Sequence, residues 1–254
     1  MGSLIPRTTM DVHAMNAARS LRFTLVLTLL VITIGLYLWQ FETDASHHAF
    51  TPASIDKPVS SEYMEHLMDQ PGPIELDTIV SADWAVPLSG LINLKRPQAA
   101  ALAERDEPIQ IYLHVLHHPT LGTYFVDSGV SSGIAAQEEN GYISTIIGYA
   151  MHLEKMHIKA DTKSVIDQLG SPLRGVFLTH LHLDHIFGMP DIDASVPVYS
   201  GPDENKAPGW QNLFTRGTTD RLLQTHGAVN TWQYQPDTTG QLAGVIDILG
   251  DGSL

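Results

Sequence analysis

The sequence predicts a mixed α+β domain behind a transmembrane helix, and three observations predict it. From Phe23 to Phe41 no residue is charged. After residue 75, short apolar runs with strand-like alternation take turns with segments that carry helix caps. One of those runs, Val176–Thr179, leads straight into His180, His182, Asp184 and His185, four side chains of the kind that bind metal.

The apolar segment comes first in the chain. As a helix rising about 1.5 Å per residue it matches the ~30 Å hydrocarbon core of a bilayer. Arg19 and Arg22 precede it, Glu42 and Asp44 follow it, and Tyr37 and Trp39 sit near its far end, where aromatic rings favour the interface. The positive-inside bias therefore predicts a cytoplasmic segment 1–22, a transmembrane anchor 23–41, and a remainder that is periplasmic or extracellular. The alternative is a signal peptide cleaved near Asp44-Ala45-Ser46, which would release a secreted protein. A buried soluble helix would have to hide apolar surface all round.

Charge narrows the partners. The net charge is −14, yet Arg7, Arg19 and Arg22 face only Asp11 before residue 23, so the acidic excess is concentrated beyond the apolar segment. Such a field repels phosphate backbones, which argues for a small-molecule substrate and against nucleic acid. The chain has no cysteine, which excludes disulfides, thiolate catalysis and Cys-ligated zinc.

Residues 42–75, rich in Ser, Pro, Asp and His, lack a sustained period and predict a linker with one short helix near Glu62–Met68. Ile109–His117 and Thr123–Asp127, separated by Pro119 and Gly122, predict a hairpin. Residues 134–160 are helical in part, with weak caps. Asp161 is an N-cap for a helix through Leu169, closed by Gly170 and Pro172. Val196–Tyr199 predicts a strand and Asp220–His226 a helical piece. Val245–Leu249 with Gly250-Asp251-Gly252 predicts a strand, a hairpin turn and, at Ser253-Leu254, the start of a returning strand.

The metal-type cluster has a chemical rationale. In an extended strand end His180 and His182 point to one side and can grip one ion. Where the chain turns after Leu183, Asp184 and His185 can swing over the same cavity and serve a second. Neutral imidazole and carboxylate suit zinc, and a catalytic zinc keeps a position open for water. Water so activated attacks a carbonyl or phosphoryl centre without a side-chain nucleophile.

The segment THLHLDH at 179–185 resembles the HxHxDH motif of the metallo-β-lactamase superfamily, and Val126-Asp127-Ser128-Gly129 resembles that family's early VDTG strand end. The resemblance covers roughly residues 76–254. It implies an αββα sandwich, of which the first half and part of the second are present. It implies metal ligation by His180, His182, Asp184 and His185, with Asp127 beneath the site. It also implies one or two zinc ions, replaceable by other divalent metals, and a metal-activated water, oriented by Asp184, acting on an ester, lactone or amide. The spacing of HLHLDH and the GDGS turn are similar to lactonase-like members. The family's third histidine and bridging carboxylate are missing from their usual places, so the expectation is a C-terminally truncated piece of a longer enzyme. His226 is the sole histidine after the motif and the one internal candidate for the third ligand.

Other readings compete. A degenerate, non-catalytic metal-binding protein is the alternative from a different class. Gly129-Val130-Ser131-Ser132-Gly133 fits a nucleophile elbow with Ser131 as nucleophile, backed by a short acidic stretch at Ala135–Asn140. His114, His117 and His118 lie on or beyond a strand, where His114 and His118 share a face. His47-His48 and the pair His152 and His157 read as surface residues, and Trp210 with Phe214 as core or loop anchors.

Overall fold

A computed structural model describes residues 10–41, 44–55, 57–70, 72–135, 141–237 and 239–254. Arg7, Glu42 and the acidic stretch Ala136–Asn140 lie outside the described residues, as does the side chain of Trp39. The chain divides into two compact units, Met1–Thr43 and Asp44–Leu254.

The first unit is one helix, α1 (Met10–Phe41). Its window Arg19–Tyr37 has a mean hydropathy of 1.9, with none of it buried, which is long and apolar enough to cross a membrane. The helix starts well before Phe23 because nothing between Met10 and Arg22 breaks it: there is no Pro or Gly in that stretch.

The second unit runs β1 (Phe50–Pro52), β2 (Lys57–Pro58), α2 (Ser61–Met68), β3 (Glu75–Pro87), α3 (Leu88–Leu91), β4 (Asp106–His118), β5 (Gly122–Val126), α4 (Ser132–Ala135), α5 (Thr145–Ala150), β6 (His157–Ile158), α6 (Thr162–Gln168), β7 (Leu173–Leu178), α7 (Leu183–Ile186), β8 (Val198–Ser200), α8 (Asn212–Leu223), β9 (Val229–Thr231), β10 (Gln235–Pro236) and β11 (Gly244–Asp247). The main sheet has the order β1-β9-β8-β7-β5-β4-β3-β6, and β10-β11-β2 form a small second sheet. β3, β4 and β5 are antiparallel neighbours, while β5, β7, β8, β9 and β1 run parallel.

Side-chain alternation divides the core between the two faces of the main sheet. Leu113, Val115, Phe125, Val176, Leu178 and Val198 point to the face covered by α4 to α8, joining Ile134, Ile147, Val165, Ile186 and Leu222. Leu116, Tyr124, Phe177, Tyr199 and Trp232 point to the other face, against Ile246 of β11. The rings there interlock, Tyr199 stacked on Trp232 at 4.9 Å and Tyr124 on Phe177 at 5.1 Å. α2 packs against β11 from outside. The layers are thus helices, sheet, sheet and helix.

The expected linker is corrected here. Residues 44–70 are part of the domain: β1 adds to β9 at the sheet edge, β2 pairs with β11, and α2, capped by the Ser60 hydroxyl accepting from the Tyr63 N–H, supplies the outer layer. The hairpin β4–β5 and the Asp161 cap match the sequence reading, with the Asp161 carboxylate accepting from the Ser164 N–H at 2.9 Å. The helix expected at Asp220–His226 instead starts at Asn212 and stops at Leu223.

Candidate metal centre

β5 and β7 are parallel neighbours, Val126 opposite Phe177, so both candidate segments leave the sheet side by side at its carboxyl end. After β5 comes Asp127-Ser128-Gly129; after β7 comes Thr179 to His185. The second segment is not strand, since β7 ends at Leu178. Its alternation nonetheless persists, because Leu181 and Leu183 are buried in the helix-covered core while His182 is exposed and His180 and Asp184 are half-buried. The two leucines hold the loop, and the polar side chains share the remaining side.

The imidazoles converge. The His180 ring lies 4.4 Å from that of His182 and 4.0 Å from that of His185, centre to centre. His185 Nε2 stands 3.5 Å from an Asp184 carboxylate oxygen. Behind them His185 Nδ1 donates to Asp127 Oδ2 at 2.7 Å, and Asp127 Oδ1 accepts from the Thr179 N–H and hydroxyl, each at 2.9 Å.

The backbone beneath is cross-braced. Asp127 sits at φ 59, a left-handed conformation Asp tolerates better than most residues. The His185 carbonyl accepts from the Ser128 N–H at 3.0 Å and from its hydroxyl at 2.8 Å. The Ser128 hydroxyl oxygen accepts from the Gly188 N–H at 3.0 Å. Gly188 has to be glycine: a Cβ there would stand 1.8 Å from the Ser128 carbonyl oxygen.

Electrostatics follow from this geometry. Burial pushes the Asp127 carboxyl up, but the His185 and Thr179 donors outweigh it and hold it below the usual carboxylate range. Burial, then the charges of His185 and His182, lowers His180 and favours its neutral form. Burial also acts downward on His185, where the Asp127 bond and the Asp184 charge prevail and raise it.

The donor set fits a divalent cation in chemistry: three imidazoles and a carboxylate, with one imidazole oriented through its far nitrogen. Among the described residues, however, no group of three or more such side chains stands in a geometry that could hold an ion. Glu204, in the turn after β8, is a residue the sequence reading missed. Burial raises its carboxyl, while His182 and the Leu181 N–H draw it down, which puts it at the edge of this cluster. The signal that could have found it is the same carboxyl-end logic applied to the next parallel strand.

The other candidates fall away. His226 is buried with Nε2 bonded to the Met189 carbonyl at 3.1 Å, and its electrostatic neighbours are His48 and Asp193 rather than the histidines after β7. The Ser131 hydroxyl donates to Asp191 Oδ1 at 2.8 Å, a carboxylate rather than the histidine a nucleophile elbow requires. His114 pairs with Thr78 and His118 with Asp251. His48 bonds the Gly227 carbonyl, and His152 faces Asp106. Trp210 and Phe214 are neither core nor anchors: they are 58% and 62% exposed.

The family model of the metallo-β-lactamase superfamily matches residues 108–244, more than half of the chain. The chain belongs to that superfamily, and the helix–sheet–sheet–helix layering is its fold. Members bind metal ions, typically zinc. Among solved structures, a probable metal-dependent hydrolase from Staphylococcus aureus aligns at 12% identity and TM-score 0.44, over 66% of this chain and 63% of that one. A quorum-quenching N-acyl homoserine lactone lactonase aligns at 16% and 0.42, over 61% and 55%. A quorum-quenching N-acyl homoserine lactone hydrolase aligns at 14% and 0.41, over 61% and 56%. The chain thus spans about three fifths of the length of these structures or less. No curated protein matches it.

Proposed function

We propose that the protein is a metal-dependent hydrolase that directs water at an ester, lactone or amide bond of a small molecule, and that α1 holds it in a membrane with the domain outside the cytoplasm. The observation that carries the catalytic reading is the convergence of His180, His182 and His185 with Asp184 at the carboxyl ends of two adjacent parallel strands. In this proposal His180 and His182 hold one zinc ion, and Asp184 and His185 a second. A divalent cation bound there supplies Lewis acidity and a water that ionises near neutral pH.

The chain's own residues do the remaining work. Asp127, by accepting the Nδ1 proton, keeps His185 in the tautomer whose Nε2 lone pair faces the cluster. Burial keeps the His180 lone pair available at neutral pH. Asp184, half-buried beside His185, would orient the attacking water in this reading. The acidic domain disfavours polyanionic substrates. For α1, Arg19 and Arg22 on one side and Asp44 on the other support an N-terminus-in anchor; cleavage to a secreted form is the alternative.

One observation favours a second reading, a metal-binding protein without catalysis: the donors are gathered but not set in ligating geometry. Zinc titration of the full chain, beside a lactone and ester panel with and without chelator, separates the two. The expected result is tight zinc binding that weakens more than about 100-fold in the His180→Ala, His182→Ala double variant, with chelator-sensitive hydrolysis. Zinc binding without hydrolysis selects the second reading. No zinc binding overturns both.

A further inference from the structure

β7 stops at Leu178, so the segment 179–182, which carries two of the donors, runs on beyond the ladders with β5 and β8. Its backbone amides still need acceptors where water is excluded. The Thr179 N–H finds one in Asp127 Oδ1, at 2.9 Å, supplied by the strand on one side. The Leu181 N–H finds one in the Glu204 carboxylate, supplied by the strand on the other side. Two carboxylates, one after β5 and one after β8, thus take alternate amides of the segment between them.

The turn after β8 returns Glu204 to that position. Leu178 and Ser200 are register partners in parallel strands, so Gly201 lies beside Thr179. The chain reverses at Asp203, whose φ is 61, and enters a short 3-10 turn, Glu204–Lys206. The Glu204 side chain then lies back over Gly201: a Cβ at 201 would stand 3.6 Å from its Cγ and 3.7 Å from its Oε1. The Lys206 ammonium is engaged by Asp203 Oδ1 at 2.8 Å, and the Ser46 N–H ties the turn through the Asn205 carbonyl at 3.1 Å. Burial and then the Glu204 charge raise the phenol of Tyr234, beyond β9, so the carboxylate is in electrostatic range of Tyr234 as well as His182.

We infer that Glu204 is a positioning residue for the metal centre: its carboxylate, by accepting from the Leu181 N–H, fixes the stretch of backbone from which His180 and His182 project. The inference rests on the metal reading above and gives Glu204 no contact with the ion. The Leu181 side chain is buried in the helix-covered core, so core packing and the Glu204 bond hold this residue at two points. Two imidazoles two residues apart can meet one ion only while the backbone between them keeps one conformation. Asp127 holds the His185 half of the site, and Glu204 holds the His180 and His182 half.

The full chain is compared as wild type, as Glu204→Ala, which removes the acceptor, and as Glu204→Gln, which keeps an oxygen at the same reach without the charge. Zinc affinity is read by competition with a chromophoric chelator. The brace itself is read by amide hydrogen exchange of the zinc-free protein over residues 178–183. Glu204→Ala is expected to bind zinc about 10- to 100-fold more weakly and to exchange faster over that segment, and Glu204→Gln to recover most of both losses. Wild-type zinc affinity in Glu204→Ala overturns the inference and leaves the metal reading intact. Zinc binding as weak in Glu204→Gln as in Glu204→Ala overturns it too, since charge rather than the hydrogen bond would then be what counts. A wild type that binds no zinc removes the metal reading and the inference together. Should Glu204→Ala fail to fold, Glu204→Leu, which fills the half-buried space without an acceptor, takes its place.

Discussion

Two histidine–carboxylate pairs in this molecule look alike in a contact map and differ in what they leave over. At the end of β4, His118 donates from Nε2 to Asp251 at 2.9 Å, and its Nδ1 accepts from the Leu121 and Thr120 N–H groups at 3.0 and 3.2 Å. Both nitrogens are used, the side chain is 3% exposed, and the result is a clasp between the β4–β5 turn and the last turn of the chain. Beyond β7, His185 gives Nδ1 to Asp127 and turns Nε2 towards Asp184 and the His180 ring, with its side chain 29% exposed. A histidine paired with a carboxylate becomes a candidate ligand when its second nitrogen keeps a lone pair facing other donors. His118 is structural and His185 is a candidate ligand for that reason.

The largest effect that separates them is on metal binding. Asn tolerates the left-handed backbone at position 127, so Asp127→Asn should leave the fold in place while weakening zinc binding about 10- to 100-fold, read by competition with a chromophoric chelator. His118→Ala should do the reverse. Stranding the Thr120 and Leu121 donors and Asp251 is expected to lower unfolding free energy by about 1–3 kcal/mol in urea, with zinc affinity unmoved. If His118→Ala weakens zinc as much as Asp127→Asn does, the distinction between the two pairs fails.

The smallest effect concerns His226, buried with its Nε2 on a carbonyl. Burial, followed by the Met189 carbonyl acting the other way and the His48 charge, leaves it below the ordinary value of 6.5. As pH falls through that value the unfolded chain takes up the proton before the folded one, so this group's contribution is complete above 6.5 and is lost below it. The thermal midpoint should therefore fall more between pH 7 and 5 in the wild type than in His226→Gln. An equal or steeper fall in the variant would show that His226 is not the group responsible.

The donor cluster was legible because its order along the chain is also its order in space: alternating leucines put His180 and His182 on one side with no long-range contact needed. Asp127 was legible only through the resemblance, since an Asp before Ser-Gly is ordinary turn chemistry until β5 pairs with β7 and brings it under His185. Glu204 carried no local pattern at all. The misreading of 44–70 has the same origin. β1 and β2 are three and two residues long, too short to show a period, and β1's partner Val229 is far away in the chain.

What could be read from residue order alone was whatever local physics encodes: an uncharged run long enough for a bilayer, the β4–β5 hairpin with its turn residues, the Asp161 cap, and a knot of metal-type donors after an apolar strand. Tertiary packing alone settled which ring nitrogens of His118 and His185 are occupied, that the segment after the apolar helix builds an outer layer, and that Trp210 and Phe214 face outward. Those outcomes depend on partners distant along the chain, and the free energy of such contacts leaves no periodic trace in the amino acids on either side.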